Sequence, residues 1–301
     1  MKLKTIFERN MIKEIEEIDK GWSSDKKYYI QTNDHQEFLM RTSELDSMES
    51  KKIEFEKMQE IYSLAIPISE PIDLDIHSDG VRSLFTWIEG NEAKDFLLNL
   101  TVSKQYDLGC QAGELLKKIH HLPAPINIKP WGISFDRKID RNIRNYQDCD
   151  LKYENGDLFL KYIEKNRHLI KDRPLTFQHG DYHTGNMILS PTNKLSIIDF
   201  NRWSYGDPWE EFNRIDFSAQ VSPEFAAGQI DGYFSSKPPI EFFNLMALYI
   251  SVNALNALPW AKSYSQNDVV TAKQKAASIL EWYNGMERVV PIWYLENGKE
   301  K

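Results

Sequence analysis

The chain has only two cysteines, Cys110 and Cys149, in 301 residues. Two thiols cannot build a disulfide framework, and they suit a reducing cytoplasm. There is no excess of positive charge. Forty-five acidic against 37 basic side chains leave a formal net charge of -8. That balance argues against a nucleic-acid binder, which carries a basic face. Long hydrophobic runs are missing too. The longest, such as residues 242–250, read as too short to span a bilayer. Residues 1–9 lack the sustained apolar core of a signal peptide. No internal repeat, low-complexity tract or long linker interrupts the chain. What remains is 41% hydrophobic and 27% charged, the composition of a globular protein with one large domain or two lobes. No nucleic acid and no membrane is expected as a partner, and the expected location is the cytoplasm.

Against these absences, one region concentrates chemistry. His179-Gly180-Asp181-Tyr182-His183-Thr184-Gly185-Asn186 places an Asp and an Asn five positions apart. Asp199 follows that Asn by thirteen positions, at the end of the apolar stretch Leu195-Ser196-Ile197-Ile198. Phosphoryl transfer asks a protein for positioning and charge neutralisation. A loop carboxylate can orient the attacking hydroxyl and take its proton, and Asp181 is the candidate. Asn186 and Asp199 supply oxygens for magnesium, a hard cation that prefers oxygen ligands. His179 stands where the protein-kinase catalytic loop also carries a His, in a place suited to fixing the loop.

Each residue also has a plainer reading. Asp and Asn in a polar loop are commonly turn residues, and it is the two motifs in this order and spacing that point to function. A metal-dependent hydrolase could use His179, Asp181, His183 and Asp199 as ligands. That reading leaves Asn186 without a role, and no other His pair except His120-His121 has close spacing. A third reading is a module that holds nucleotide without turnover.

The catalytic stretch resembles that of the aminoglycoside phosphotransferase family, a kinase-like group that includes antibiotic, choline and other small-molecule kinases. Ile198-Asp199-Phe200 resembles its metal-binding segment, and Tyr205-Gly206-Asp207-Pro208-Trp209-Glu210-Glu211-Phe212 resembles the Gly-Asp-Pro segment that follows. The resemblance implies an α+β, two-lobed, protein-kinase-like fold. Residues 1–88 would form a small mixed N-lobe that binds nucleotide, and residues 89–301 a larger, mainly helical C-lobe. It implies transfer of the γ-phosphate of ATP or GTP, with Mg2+, to a hydroxyl of a small molecule, first of all an aminoglycoside-like compound. Antibiotic resistance is the role that such an acceptor would imply. The acidic net charge suits a cationic acceptor, though from residue 201 onward the chain has only twelve acidic and nine basic side chains. Where the family often has an Asp bracing the catalytic loop, this chain has Glu211, which can reach as far.

The amino-terminal half follows the same pattern. Residues 18–30 read as strand, turn, strand, and Gly21, Ser23 and Ser24 could cover the phosphates with N–H groups and hydroxyls. A plain hairpin turn would carry the same residues. Glu37-Phe38-Leu39-Met40-Arg41 is a strand with a cation, Arg41, where protein kinases place a Lys. Its partner is expected on a helix over residues 50–64, with Ile53, Met58 and Ile61 in the core. Glu54, Glu56 and Glu60 are available, and counting back from Ile66-Pro67-Ile68 favours Glu56. Residues 81–88 read as a strand that leads into the linker between lobes. By the resemblance, the backbones of Thr86 and Ile88 contact adenine. Later helices are expected over residues 105–121, 135–146, 157–170, 240–258 and 269–289, with Trp260 and Tyr264 following a helix end at Pro259.

Overall fold

The computed structural model describes residues 3–8, 11–19 and 25–297. The turn that carries Gly21, Ser23 and Ser24 lies outside the described residues. The chain divides into two compact units, residues 1–93 with 186–201, and residues 94–185 with 202–301. The sequence reading places one boundary after residue 88. The contacts instead carry the first unit on to Ala93 and return residues 186–201 to it.

The first unit begins with α1 (Leu3–Glu8), β1 (Ile12–Glu17), β2 (Lys26–Thr32) and β3 (Glu37–Ser43). It continues with α2 (Met48–Ser63), β4 (Pro71–His77), β5 (Gly80–Thr86) and β6 (Asn91–Glu92). Five of these strands form an antiparallel sheet in the order β1-β2-β3-β5-β4. Alternation sets its faces: Phe38 and Met40 turn inward from β3 to meet Ile30, Leu84, Leu3 and Ile6. Each such side chain contributes roughly 1.5–3 kcal/mol by leaving water.

Helix α2 buries Phe55, Met58 and Ile61. Ile53, expected in the core, is 45% exposed. The buried stripe follows the three-residue spacing from Phe55, and Ile53 falls off it.

The second unit opens with α3 (Ala93–Phe96), whose first residue still belongs to unit one, then α4 (Val102–Ile119), α5 (Trp131–Asp148) and α6 (Asp157–Asn166). Next come β7 (Thr176–Gln178) in this unit, β8 (Met187–Leu189) and β9 (Leu195–Ile197) in the first, and β10 (Ser204–Gly206) in the second. The unit ends with α7 (Ile215–Val221), α8 (Pro223–Phe234), α9 (Ile240–Lys262), α10 (Gln266–Trp282) and α11 (Ile292–Asn297). Sequence signals account for several starts. Thr101 accepts from the Lys104 N–H, Ser222 from the Phe225 N–H ahead of Pro223, and Ser265 from the Asp268 N–H.

The helix α9 corrects two expectations. It has 23 residues and is long and apolar enough, by length and composition, to cross a membrane. Yet 72% of its apolar window is buried inside the fold, as in the core helix of a globular unit. It also runs through Pro259 to Lys262, so Pro259 is not its end. Trp260 and Tyr264 are exposed and pack on each other, ring centroids 4.4 Å apart.

Candidate active site

In the second unit, β7 and β10 pair antiparallel, with Gln178 opposite Ser204 and Thr176 opposite Gly206. The loop that carries Asp181 leaves the end of β7. It is braced from beneath. The Gly180 N–H donates to both carboxylate oxygens of Glu211, at 2.9 and 3.2 Å. Glu211 therefore bridges the distance that a shorter Asp spans in the family pattern. The Asp181 N–H donates to His179 Nδ1 at 3.2 Å, so His179 holds the loop from inside the core.

Gly180 adopts φ +84, and a Cβ there would lie 1.9 Å from the Arg202 carbonyl oxygen. Only glycine satisfies both demands.

Beneath the loop, Asp207 of the Gly-Asp-Pro segment is fully buried and fully used. Arg173 grips it through Nε at 2.8 Å and a second nitrogen at 3.1 Å, and the Tyr249 hydroxyl donates to it at 2.6 Å. Gln178 donates to its carbonyl at 2.8 Å. This network fixes the strand pair from which the loop departs.

Two guanidinium groups and an imidazole ring surround the Asp181 carboxylate. Arg214 Nε lies 3.2 Å from Oδ1, His183 Nε2 3.5 Å from Oδ1, and Arg202 Nε 3.9 Å from Oδ2. Burial alone would raise its pKa. His183, Arg214 and Arg202 more than offset this and hold it well below the usual carboxylate range. Asp181 is an anion at every pH near neutrality. Arg214 and Arg202 escaped the sequence reading, since a lone Arg in a helical segment has no motif to announce it.

In the first unit, β8 and β9 form a hairpin with Met187 opposite Ile197. The Ile198 N–H donates to the Asn186 carbonyl oxygen at 3.0 Å. Asn186 and Asp199 therefore leave the same end of one hairpin. Asp199 has φ 65, a left-handed backbone that a residue other than glycine rarely adopts. One amide oxygen and one carboxylate make a sparse, hard donor set. It fits magnesium, which keeps several waters and takes further oxygens from phosphates. Among the described residues no group of three or more His, Cys, Asp or Glu could hold a metal ion. The His/Asp hydrolase reading thus lacks its ligand cluster, and the ring Nδ1 atoms of His179 and His183 already accept from the Asp181 and Gly185 N–H groups.

Arg41, also in the first unit, sits in a four-charge network. It reaches Glu54 at 3.1 Å and Asp25 at 2.7 Å, and also bonds Asn201. Lys51 bridges the same two acids, at 2.7 Å to Asp25 and 2.9 Å to Glu54. Burial works against the Asp25 charge, but Lys51, Arg41 and Ser43 hold its pKa below the usual value. The expected partner Glu56 is exposed and plays no part in this network. Glu54 shares the inner stripe with Met58 and Ile61 at helical spacing, whereas Glu56 is turned about 200° away around the helix. Arg41 Nε is buried without an acceptor.

At the end of β5 the Thr86 N–H is taken by the Glu70 carbonyl at 3.0 Å, so it cannot serve a base. Among the described residues the backbone N–H and C=O of Ile88 have no hydrogen-bond partner.

This fold and these motifs recur in known proteins. The sequence profile of the phosphotransferase enzyme family matches residues 14–243. No curated protein matches the chain. Solved structures do. A thermostable mutant of the aminoglycoside phosphotransferase APH(4)-Ia, in a ternary complex with ADP and hygromycin B, superposes with a TM-score of 0.65 at 14% identity, over 93% of this chain and 98% of that one. APH(2")-IIa in complex with gentamicin gives 0.62 at 16% identity, over 90% and 95%. A choline/ethanolamine kinase family protein from Mesorhizobium loti gives 0.65 at 13% identity, over 92% and 91%. At such identities the structures speak for the fold, a small antiparallel N-lobe with a helical C-lobe. The profile spans well over half of the sequence, and the chain belongs to the phosphotransferase enzyme family.

Proposed function

We propose that the chain transfers the γ-phosphate of ATP or GTP to a hydroxyl of a small molecule, with Asp181 as the catalytic base. The observation that carries this is the state of Asp181. It is an ionised carboxylate at the head of a loop locked by Glu211 and His179. It orients the acceptor hydroxyl and takes its proton as the oxygen attacks phosphorus. Asn186 and Asp199 are proposed to hold Mg2+, which when bound neutralises charge on the nucleotide phosphates. Arg41, braced by Glu54 and Asp25, is proposed to grip the phosphates. Gly21, Ser23 and Ser24 remain proposals for covering those phosphates. Thr86 contributes its carbonyl to the base of the nucleotide, and Ile88 its N–H.

The family resemblance puts an aminoglycoside-like acceptor first, with antibiotic resistance as its consequence. The neighbours' own ligands, hygromycin B and gentamicin, support beginning there. The cytoplasm remains the proposed location, supported by the scarcity of cysteine, two in 301 residues.

A coupled ADP- or GDP-release assay with magnesium tests the proposal, using ATP and GTP against aminoglycosides, macrolides, choline, sugars and sugar acids. Acceptor-stimulated release is expected, and Asp181→Ala is expected to cut it by roughly 10²–10⁴-fold with nucleotide affinity retained. Near-normal turnover in that variant would remove Asp181 from the role.

A further inference from the structure

The guanidinium groups of Arg214 and Arg202 and the ring of His183 lie beside Asp181. Phe217 gathers two of these and Lys275. His183 stacks on its ring at 5.0 Å, Lys275 Nζ lies 2.7 Å from its centroid, and the Arg214 guanidinium 5.5 Å. Lys275 bonds Asp216 at 2.9 Å. Among the described residues, the ion-pair partners of Arg202, Arg214 and Lys275 are Asp181 and Asp216, and both acids are already paired. Burial pushes the Lys275 pKa down to about 8, with a smaller push from Arg214 against the pull of Asp216 and Asp181. Arg214 Nε is buried with no aligned hydrogen-bond acceptor, although it lies 3.2 Å from Asp181.

The neighbouring cavity repeats the pattern. It encloses about 490 Å³, between α5 and the β7–β10 pair. Lys129, Arg137, Lys138 and Arg141 line it, against the single acid Glu210, which is bonded to Lys138 at 2.8 Å. Arg137 and Arg141 stand one helical turn apart, with no ion-pair partner among the described residues. Like charges at that spacing destabilise a helix unless an anion answers them. Gln178 on the cavity wall comes three residues before Asp181, and Ser204 on the same wall two residues after Arg202.

Resting on the kinase reading above, we infer that the acceptor carries a carboxylate or phosphate, held by Arg214 and Lys275 beside the hydroxyl that Asp181 activates. A polyhydroxy acid or phosphorylated sugar meets these side chains with complementary charge. A polyamine offers Arg214 and Lys275 no such complementary charge.

The test is calorimetric titration of the full chain, first with magnesium and non-hydrolysable ATP and GTP analogues, then with gluconate, glucose 6-phosphate, glucose and kanamycin. Gluconate or glucose 6-phosphate is expected to bind at least about tenfold tighter than glucose, with kanamycin no tighter than glucose. The preference between the first two distinguishes carboxylate from phosphate. Arg214→Gln is expected to abolish the anionic advantage and Arg214→Lys to restore most of it, with the nucleotide analogue reporting that each variant is folded. Should Arg214→Gln fail to bind analogue, Lys275→Gln takes its place. Equal binding of glucose and the anions, kanamycin as the tightest ligand, no binding of either anion, or an advantage that survives Arg214→Gln would each overturn the inference while analogue binding leaves the kinase reading standing. Failure of both analogues to bind would overturn that reading and the inference with it.

Discussion

At the scale of single residues, the choice between Glu54 and Glu56 shows what a motif count misses. Counting back from a strand fixes a glutamate only to within a turn of helix. The phase of the buried stripe decides which one faces Arg41, and that phase needs Phe55 and Met58 to be seen inside. Glu54→Gln removes one of the two carboxylates that balance Arg41 and Lys51. Losing hydrogen bonds to charged, half-buried partners costs on the order of 1–3 kcal/mol. The KM for nucleotide is therefore expected to rise roughly tenfold or more, while Glu56→Gln stays within about twofold. Steady-state kinetics of the two variants side by side checks this. Lys275 gives a pH signature. Its folded pKa of about 8 lies below its ordinary value of 10.5. The folded chain therefore sheds this proton first as pH rises, and its contribution to stability increases with pH between those values. Over the same rise Lys275, which faces Asp216, Arg214 and Asp181, loses the charge it offers an anion. The KM of an anionic acceptor is expected to climb severalfold from pH 7 to 9, and to stay nearly flat in Lys275→Arg, whose charge persists.

At the scale of elements, the helical lobe is organised by a crossing that the hydrophobic pattern does not reveal. Helices α4 and α8 each carry two glycines four residues apart, Gly109 with Gly113 and Gly228 with Gly232. A Cβ on Gly109 would lie 2.1 Å from the Phe225 carbonyl oxygen, and one on Gly228 2.2 Å from that of Tyr106. The backbones touch, as small residues at a helix interface permit. Intrinsic propensity alone says that Gly228→Ala should stabilise α8 by ~1 kcal/mol. The contact says the reverse, because the helices must separate. The melting temperature of Gly228→Ala is expected to fall, by the equivalent of roughly 1–3 kcal/mol of overpacking. A rise would mean that the crossing is looser than described. The catalytic hairpin was more legible. Its apolar run, its turn and the two flanking polar residues all lie within fourteen positions, so Asn186 and Asp199 could be paired from the sequence. The helix crossing joins segments more than a hundred residues apart, and nothing local encodes that meeting.

At the scale of the whole molecule, the same contrast separates what was legible from what was not. The lobes, the family and the catalytic loop rest on local spacing. The charge at the acceptor side depends on Arg202, Arg214 and Lys275, which reach Asp181 and Phe217 from three separate segments. Summed charge does not describe the site by itself. A net charge of -8 suits a cationic ligand, whereas the guanidinium groups of Arg202 and Arg214 lie beside Asp181. The anionic acceptor proposed above would approach against the long-range field and bind through a local, partly buried cluster. Salt acts oppositely on the two parts. It screens the distant repulsion over a Debye length of ~10 Å at 0.1 M, and it weakens half-buried pairs far less. The kcat/KM for an anionic acceptor is accordingly expected to change by less than about threefold between roughly 50 and 500 mM salt. A steep fall, tenfold or more, would place the anion on solvent-exposed cations such as Arg137 and Arg141 instead of against Arg214 and Lys275.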